Sequence, residues 1–276
     1  MGLVHKSGVM LSGFLLAIAL AGCSTTFDTT ITEDTETIGQ GSESESDSEE
    51  MITRTESIKV EQFDSITVTT DVMGIYVEPI VGSTAEIELI TDQKLDSEIS
   101  LETKVQNRQL QVTVDEGSAL NLLMKSKRGE RKLVIKLPNH TYDQIEVSSD
   151  FGMVHAAGIQ AEKVNIDVDA GTIVTSGVRG ALKLHTSAGE IKVEDYALDY
   201  NLNAESEVGN IRITLDSTPE RGSVRLQSQV GDVLADLDNL DYDTKSVNKI
   251  EGAFGPGGAS LEAKVEVGSI HIETTK

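Results

Sequence analysis

The stretch "TSAGEIKV" (186–193) decides the fold, because the chain repeats it. Upstream stand "SSDFGMVH" (148–155) and "DVDAGTIV" (167–174); downstream come "SEVGNIRI" (206–213), "SQVGDVLA" (228–235) and "VEVGSIHI" (265–272). Each carries an apolar or small residue, a glycine, one variable residue and then Val or Ile. The glycines are Gly152, Gly171, Gly189, Gly209, Gly231 and Gly268, the first five separated by 19, 18, 20 and 22 residues. The last gap, 37 residues, is read as two turns of which one has lost its glycine.

The residues around each glycine repeat as well. Two positions after it stand Val154, Ile173, Ile191, Ile211, Val233 and Ile270; seven before it stand Ile145, Val164, Leu182, Leu202, Val224 and Leu261. Five before it come Val147, Ile166, Leu184, Ala204, Leu226 and Ala263. Apolar residues at every second position describe a half-buried strand, so each unit reads as strand, glycine turn, strand. A period near 20 without helical spacing is the mark of a solenoid. One such unit cannot bury its own apolar face, so neighbours must share a core. The glycine suits a turn that needs positive φ or close backbone approach. The fold class is therefore all-β: a β-solenoid, or parallel β-helix-like stack, of ~20-residue rungs, capped by N-terminal strands. The glycines are assigned to architecture, not to phosphate binding.

Ahead of the regular array the pattern loosens. "FDSITVTTDVMGIYVEP" (63–79) has the strand-glycine-strand form around Gly74, followed by strand candidates at 85–91, 109–115 and 132–138. "LNLLMKSKRGERK" (120–132) is the one locally basic stretch, with Lys125, Lys127, Arg128, Arg131 and Lys132. It reads as a solvated hairpin loop, or as a contact for an acidic partner.

The chain has 276 residues, with 38% hydrophobic, 4% aromatic and no Trp, so its core must be built from Val, Ile, Leu and Ala. With 46 acidic and 23 basic residues the net charge is −23, which argues against nucleic acid and anionic lipid headgroups as partners. Cys23 is the only cysteine, so no intrachain disulfide can form. Before it, His5 and Lys6 precede the apolar run "VMLSGFLLAIAL" (9–20), the length of a signal-peptide core rather than a membrane span. Leu20-Ala21-Gly22-Cys23 resembles the lipobox of bacterial lipoproteins. The resemblance implies cleavage after Gly22 and diacylglycerol on the Cys23 sulfur, with two acyl chains giving essentially permanent anchorage. Residues 24–57 hold ten acidic side chains against Arg54 alone and bury too little to order themselves. The domains are thus a lipoprotein signal peptide (1–22), lipidated Cys23 with a disordered acidic tether (23–57), and the β-repeat domain (58–276).

"KLVIKLPNHTYDQIEVSSDFG" (132–152), the serial rungs and "GAFGPGGASLEAKVEVGSIHIE" (252–273) resemble the bacterial β-strand-repeat domain of unknown function known as "putative adhesin". The resemblance implies a β-helix-like fold on an exported or membrane-attached protein, and carries no catalytic residues. The residues themselves agree. His140, His155, His185 and His271 are scattered, the second and last of these five rungs apart, and no nucleophile-elbow or phosphate-loop motif is present. Asp236, Asp238, Asp241 and Asp243 are the candidate calcium loop, although Thr244 and Ile250 stand where an EF-hand needs Gly and Glu; no metal or other cofactor is assigned. The expected function is that of a non-enzymatic surface lipoprotein that binds envelope glycan or protein partners or acts as a scaffold. It would sit on the outer face of the cytoplasmic membrane, or on the outer membrane where there are two. The alternatives are an accessory of an envelope-stress pathway and a carbohydrate-active β-helix enzyme.

Overall fold

Only Gly158 and Ile159 link the end of β7 (Thr141–Ala157) to the start of β8 (Gln160–Ser176), yet Gln160 pairs with Thr141 at the opposite end of β7. A 17-residue strand whose end returns so quickly to its start must fold back at its middle, and the middle is Gly152. In the computed structural model, which describes residues 50–93, 95, 97–117 and 130–275, the same hairpin-like rung recurs in β2 (Ser65–Ile80), β9 (Arg179–Tyr196) and β10 (Leu202–Leu215). In two further rungs the corner breaks the strand in two: β11 (Ser223–Val230) with β12 (Val233–Asp236), and β15 (Ser260–Val267) with β16 (Ile270–Thr274). Parallel pairing stacks them into an open β-solenoid. The described residues belong to one unit, Asp47–Lys276. The expected site residues Leu20, Ala21, Gly22, Cys23, Lys125, Lys127 and Arg128 lie outside the described residues.

Each rung has a pre-glycine arm and a post-glycine arm, with the core between them. The columns read from the sequence are buried: Ile145, Val164, Leu182, Leu202, Leu261 and Val224 on one arm, Val154, Ile173, Ile191, Ile211, Ile270 and Val233 on the other. Filing β-branched and Leu side chains one above another is what a shared core requires.

The corner explains the glycines. A Cβ built on Gly171 would lie 1.8 Å from the Gly152 carbonyl oxygen; on Gly189, 1.7 Å from that of Gly171; on Gly209, 1.6 Å from that of Gly189. All three have positive φ, between 151° and 157°. Successive corners therefore touch backbone to backbone, and no side chain fits between them.

Two expectations about the repeat are corrected by this column. Gly74 is not part of it: Met73 pairs with Gly152, and Gly74 with Met153. Met73 tolerates a side chain because the strands beyond it do not meet at the corner. There β5 (Gln109–Asp115) pairs with Ser65–Thr69 and β6 (Arg131–Pro138) with Gly74–Ile80, leaving the corner open. The 37-residue gap hides no lost turn either. The last rung inserts between earlier ones: β15 pairs with both β10 and β11, and β16 with both β10 and β12. A Cβ on Gly268 would meet the Gly209 oxygen at 1.7 Å, and one on Gly231 the Gly268 oxygen at 2.0 Å. His155 and His271 are thus four rungs apart, not five. Two asparagines pin the insertion. Ser260 N and Oγ donate to Asn201 Oδ1 at 2.9 and 3.3 Å, and Ser269 N and Oγ donate to Asn210 Oδ1 at 3.1 and 2.8 Å.

The ends are closed by antiparallel strands. β3 (Thr84–Asp92) pairs with β6, β1 (Met51–Lys59) with β3, and β4 (Ser100–Gln106) with β5. At the other end β14 (Lys249–Ala253) pairs with β11 and β13 (Asp241–Lys245) with β14. β1 corrects the tether boundary, since Met51–Ser57 is strand rather than disordered chain. Its composition is polar, but its backbone completes the edge of β3. Its half-buried side chains reach β4 and the residue before it: Thr103 of β4 donates to the Glu56 carboxylate, and Arg54 Nη1 donates to Ile99 O at 2.8 Å.

Glu116 occupies the open corner. Its side chain is fully buried beside Arg131 (3.3 Å), and Val72 N donates to its Oε1 at 2.7 Å. Burial pushes its carboxyl up to about 7, against the opposing pull of the Val72 amide and Arg131.

Two predictions follow from the corner. Gly189→Ala should cost more than about 2 kcal/mol, from strain and clash. Gly177→Ala, at a turn glycine with φ +59° and nothing within 4 Å, should cost only about 1 kcal/mol; equal losses in thermal melting would refute the backbone contact. For Glu116, a folded pKa above the unfolded one favours the protonated form. Its contribution is fully present below about pH 4.5 and is lost as pH rises through about 7, on the order of 3 kcal/mol in total. Glu116→Gln, which cannot ionise, should therefore gain in melting temperature relative to wild type between pH 5 and pH 8; a pH-independent difference would contradict this.

Candidate functional site

The late insertion of β15 and β16 also makes a cleft. To leave a slot beside β10 the chain crosses over through 216–222, and to fill it the chain returns through 254–259. Both segments meet the turn at 197–201 on one side of the stack. Their backbones interlock: Ser223 N donates to Ala259 O at 3.0 Å and Phe254 N to Gly222 O at 2.9 Å. A Cβ on Gly222 would lie 2.9 Å from Ala259 O, and one on Gly258 would lie 2.9 Å from the Arg221 carbonyl carbon. Beneath them the buried Tyr196 hydroxyl donates to Gly180 O at 3.0 Å, with Tyr200 O and Asn201 O at 3.0 and 3.1 Å; burial pushes this phenol up. The loop bearing Tyr200 is thus anchored from below.

Two adjoining hollows result, of about 470 and 360 Å³, sharing Leu198, Asp199 and Arg221. Tyr200, 42% exposed, lines the smaller of the two. Arg179 lies 3.9 Å from Asp216 across one of them. Aromatic ring, guanidinium, carboxylate and amide groups converge here on an open surface, which suits a polar ligand with an apolar face. Sequence reading missed this site. Its residues lie outside the repeat columns, and only the inserted rung brings them together. The 22-residue spacing from Gly209 to Gly231, the longest of the first four, was the available signal.

The residues singled out in sequence fare otherwise. His185 Nδ1 lies 3.1 Å from Asp167 Oδ1, above a shallow depression of about 190 Å³ that also includes Glu146 and Lys183. His155 packs edge-on to Tyr76, 6.1 Å between ring centres, and His140 packs against Tyr142 at 5.2 Å. Lys132 Nζ sits 4.2 Å above the Tyr76 ring and Arg131 holds Glu116, so these two residues of the basic stretch are structural. Asp236, Asp238, Asp241 and Asp243 are not brought together. Asp236 ends β12, while in β13 Asp241 pairs with Ala253 of β14 and Asp243 sits at the bulge between Tyr242 and Thr244. Among the described residues no three or more His, Cys, Asp or Glu side chains are placed to hold a metal ion.

The described solenoid resembles solved structures. It aligns with a protein of Clostridium sporogenes described as a "putative cell adhesion protein" at 14% identity, over 82% of this chain and all of that one, with a TM-score of 0.54. A "putative adhesin" of Bacteroides fragilis aligns at 17% identity over 82% and 98% of the two chains, TM-score 0.42. A "putative lipid binding protein" of Parabacteroides distasonis aligns at 15% identity over 81% and 97%, TM-score 0.27. At these identities the first likeness shows the fold alone, and the other two carry no argument. No curated protein matches the sequence. The Toastrack DUF4097 family profile matches residues 63–171 and 146–273, the span of the first rung, the glycine column and the inserted last rung, and the chain belongs to that family.

Proposed function

We propose that this chain is a non-enzymatic surface lipoprotein, exported and anchored by diacylglycerol on Cys23, whose solenoid binds glycan of the cell envelope. The observation that carries the reading is the cleft at the rung crossover. A sugar presents an apolar ring face and a rim of hydroxyls. An exposed Tyr200 beside Asp199 and Arg221, with Arg179 in the adjoining hollow, offers a stacking surface and polar partners for both. The same residues argue against catalysis. All four are exposed, whereas charge stabilisation in a transition state works best where water is excluded. The description of the Clostridium sporogenes protein as a "putative cell adhesion protein" agrees with a binding role.

The test is co-sedimentation of Asp47–Lys276 with the organism's own cell-wall sacculi. Saturable pelleting that survives high salt is expected, weakened roughly tenfold by Tyr200→Ala without change in melting temperature. Absence of pelleting, or indifference to Tyr200→Ala, would refute the reading. In cells, the intact chain should fractionate with membranes and the Cys23→Ser chain with the soluble fraction.

A further inference from the structure

The residues just before the corner form a second feature, on a face that the cleft does not use. Phe151, Ala170, Ala188, Val208, Val267 and Val230 pair in register from rung to rung. They form an apolar ridge along the stack. Phe151, Val208, Val267 and Val230 are 43%, 54%, 48% and 64% exposed, and they are four of the nine large apolar side chains exposed among the described residues. The positive φ of each following glycine turns this position outward, so the corner that makes stacking possible also puts apolar side chains in water.

Beside the ridge runs a file of carboxylates. Asp71, Asp150 and Asp169 stand on three successive rungs and Glu207 and Glu266 on two further successive ones, with Ser187 between the two groups and Gln229 at the end; each carboxylate is one residue before a ridge position or, for Asp71, before Val72 of the first rung. On other faces some outward charges are paired across rungs: Asp167 with His185 at 3.1 Å, Glu190 with Arg212 at 3.8 Å, Glu262 with Arg225 at 3.5 Å. None of the five carboxylates in the file has such a partner among the described residues. Like charges set abreast on neighbouring strands destabilise a sheet. Partial burial and the charges of Asp150 and Asp115 push the Asp71 carboxyl up.

We propose that the ridge and its carboxylate file are a docking surface for a basic, amphipathic polypeptide segment of a partner protein, whose apolar side chains cover the ridge and whose Lys or Arg side chains pair with the file. Charge complementarity selects this occupant. A second copy would bring two acidic files together, and an anionic lipid surface would meet the same repulsion. The seven stacked rungs extend roughly 29 Å at about 4.8 Å per rung, the reach of about nine extended residues.

The test titrates fluorescent peptides into Asp47–Lys276. The probes are a Leu-Lys alternating peptide of about nine residues, its Ser-Lys counterpart and its Leu-Glu counterpart. The Leu-Lys peptide should bind saturably, and at least tenfold more tightly than either control. Asp150→Asn/Asp169→Asn/Glu207→Gln, isosteric and exposed, should lose at least tenfold in affinity while melting no lower than wild type. Val208→Ser/Val267→Ser should lose a comparable factor. Equal binding of the Ser-Lys peptide would reduce the effect to net charge and overturn the proposal, as would unchanged affinity in the carboxylate variant. Self-association abolished by Val208→Ser/Val267→Ser would assign the ridge to a second copy and also overturn it.

Discussion

Backbone touches backbone at the rung corner. In each repeat a carbonyl oxygen of one rung fills the volume that a Cβ of the next would need, from Gly152 through Gly171, Gly189 and Gly209 to Gly268 and Gly231. That contact fixes the register of both arms at once. The two core columns on either side then align without adjustment, and Leu stands on Leu and Ile on Ile. It also sets what the outer surface shows, because turning the chain at positive φ places the preceding residue in solvent.

The column has two ends and one interruption, and each leaves its mark. At the first rung the constraint lapses because β5 and β6 separate. Met73 replaces glycine, and a buried carboxylate, Glu116, takes the Val72 amide that no neighbouring rung can take. The interruption is temporal rather than spatial. The slot beside β10 is left open in chain order and filled by the last strands, held by the Asn201 and Asn210 side chains. The crossings this requires create the cleft around Tyr200, so the candidate binding site is a consequence of topology more than of local sequence.

The repeat was legible because its signals were local and periodic. Gly189 with Ile191, Leu182 and Leu184 specifies a rung, and the same offsets recur throughout the chain. Spatial order was not legible in that way. Rung β15–β16 carries the same pattern as its neighbours, so nothing in the offsets says where along the stack it inserts; the serine and asparagine pairs that decide it are 59 residues apart. Gly74 misled for a related reason: it lies one residue beyond the corner, and only the pairing of Met73 with Gly152 reveals the offset. β1 escaped notice because edge pairing is made by backbone, to which a count of acidic and hydroxyl residues is blind. The cleft at Tyr200 and Arg221 was missed because its residues belong to no column.

Disulfide trapping tests the stacking order most directly. In the inserted arrangement Arg212 stands beside His271, whereas rungs stacked in chain order would place it beside Leu234. Asp47–Lys276 lacks Cys23, so introduced cysteines have no competing thiol. Under mild oxidation Arg212→Cys/His271→Cys should close a disulfide, its Cα atoms being roughly 4.8 Å apart. Arg212→Cys/Leu234→Cys, two rungs and roughly 10 Å apart, should remain reduced. The reverse outcome, closure of the second pair and not the first, would contradict the inserted rung and the glycine column that depends on it.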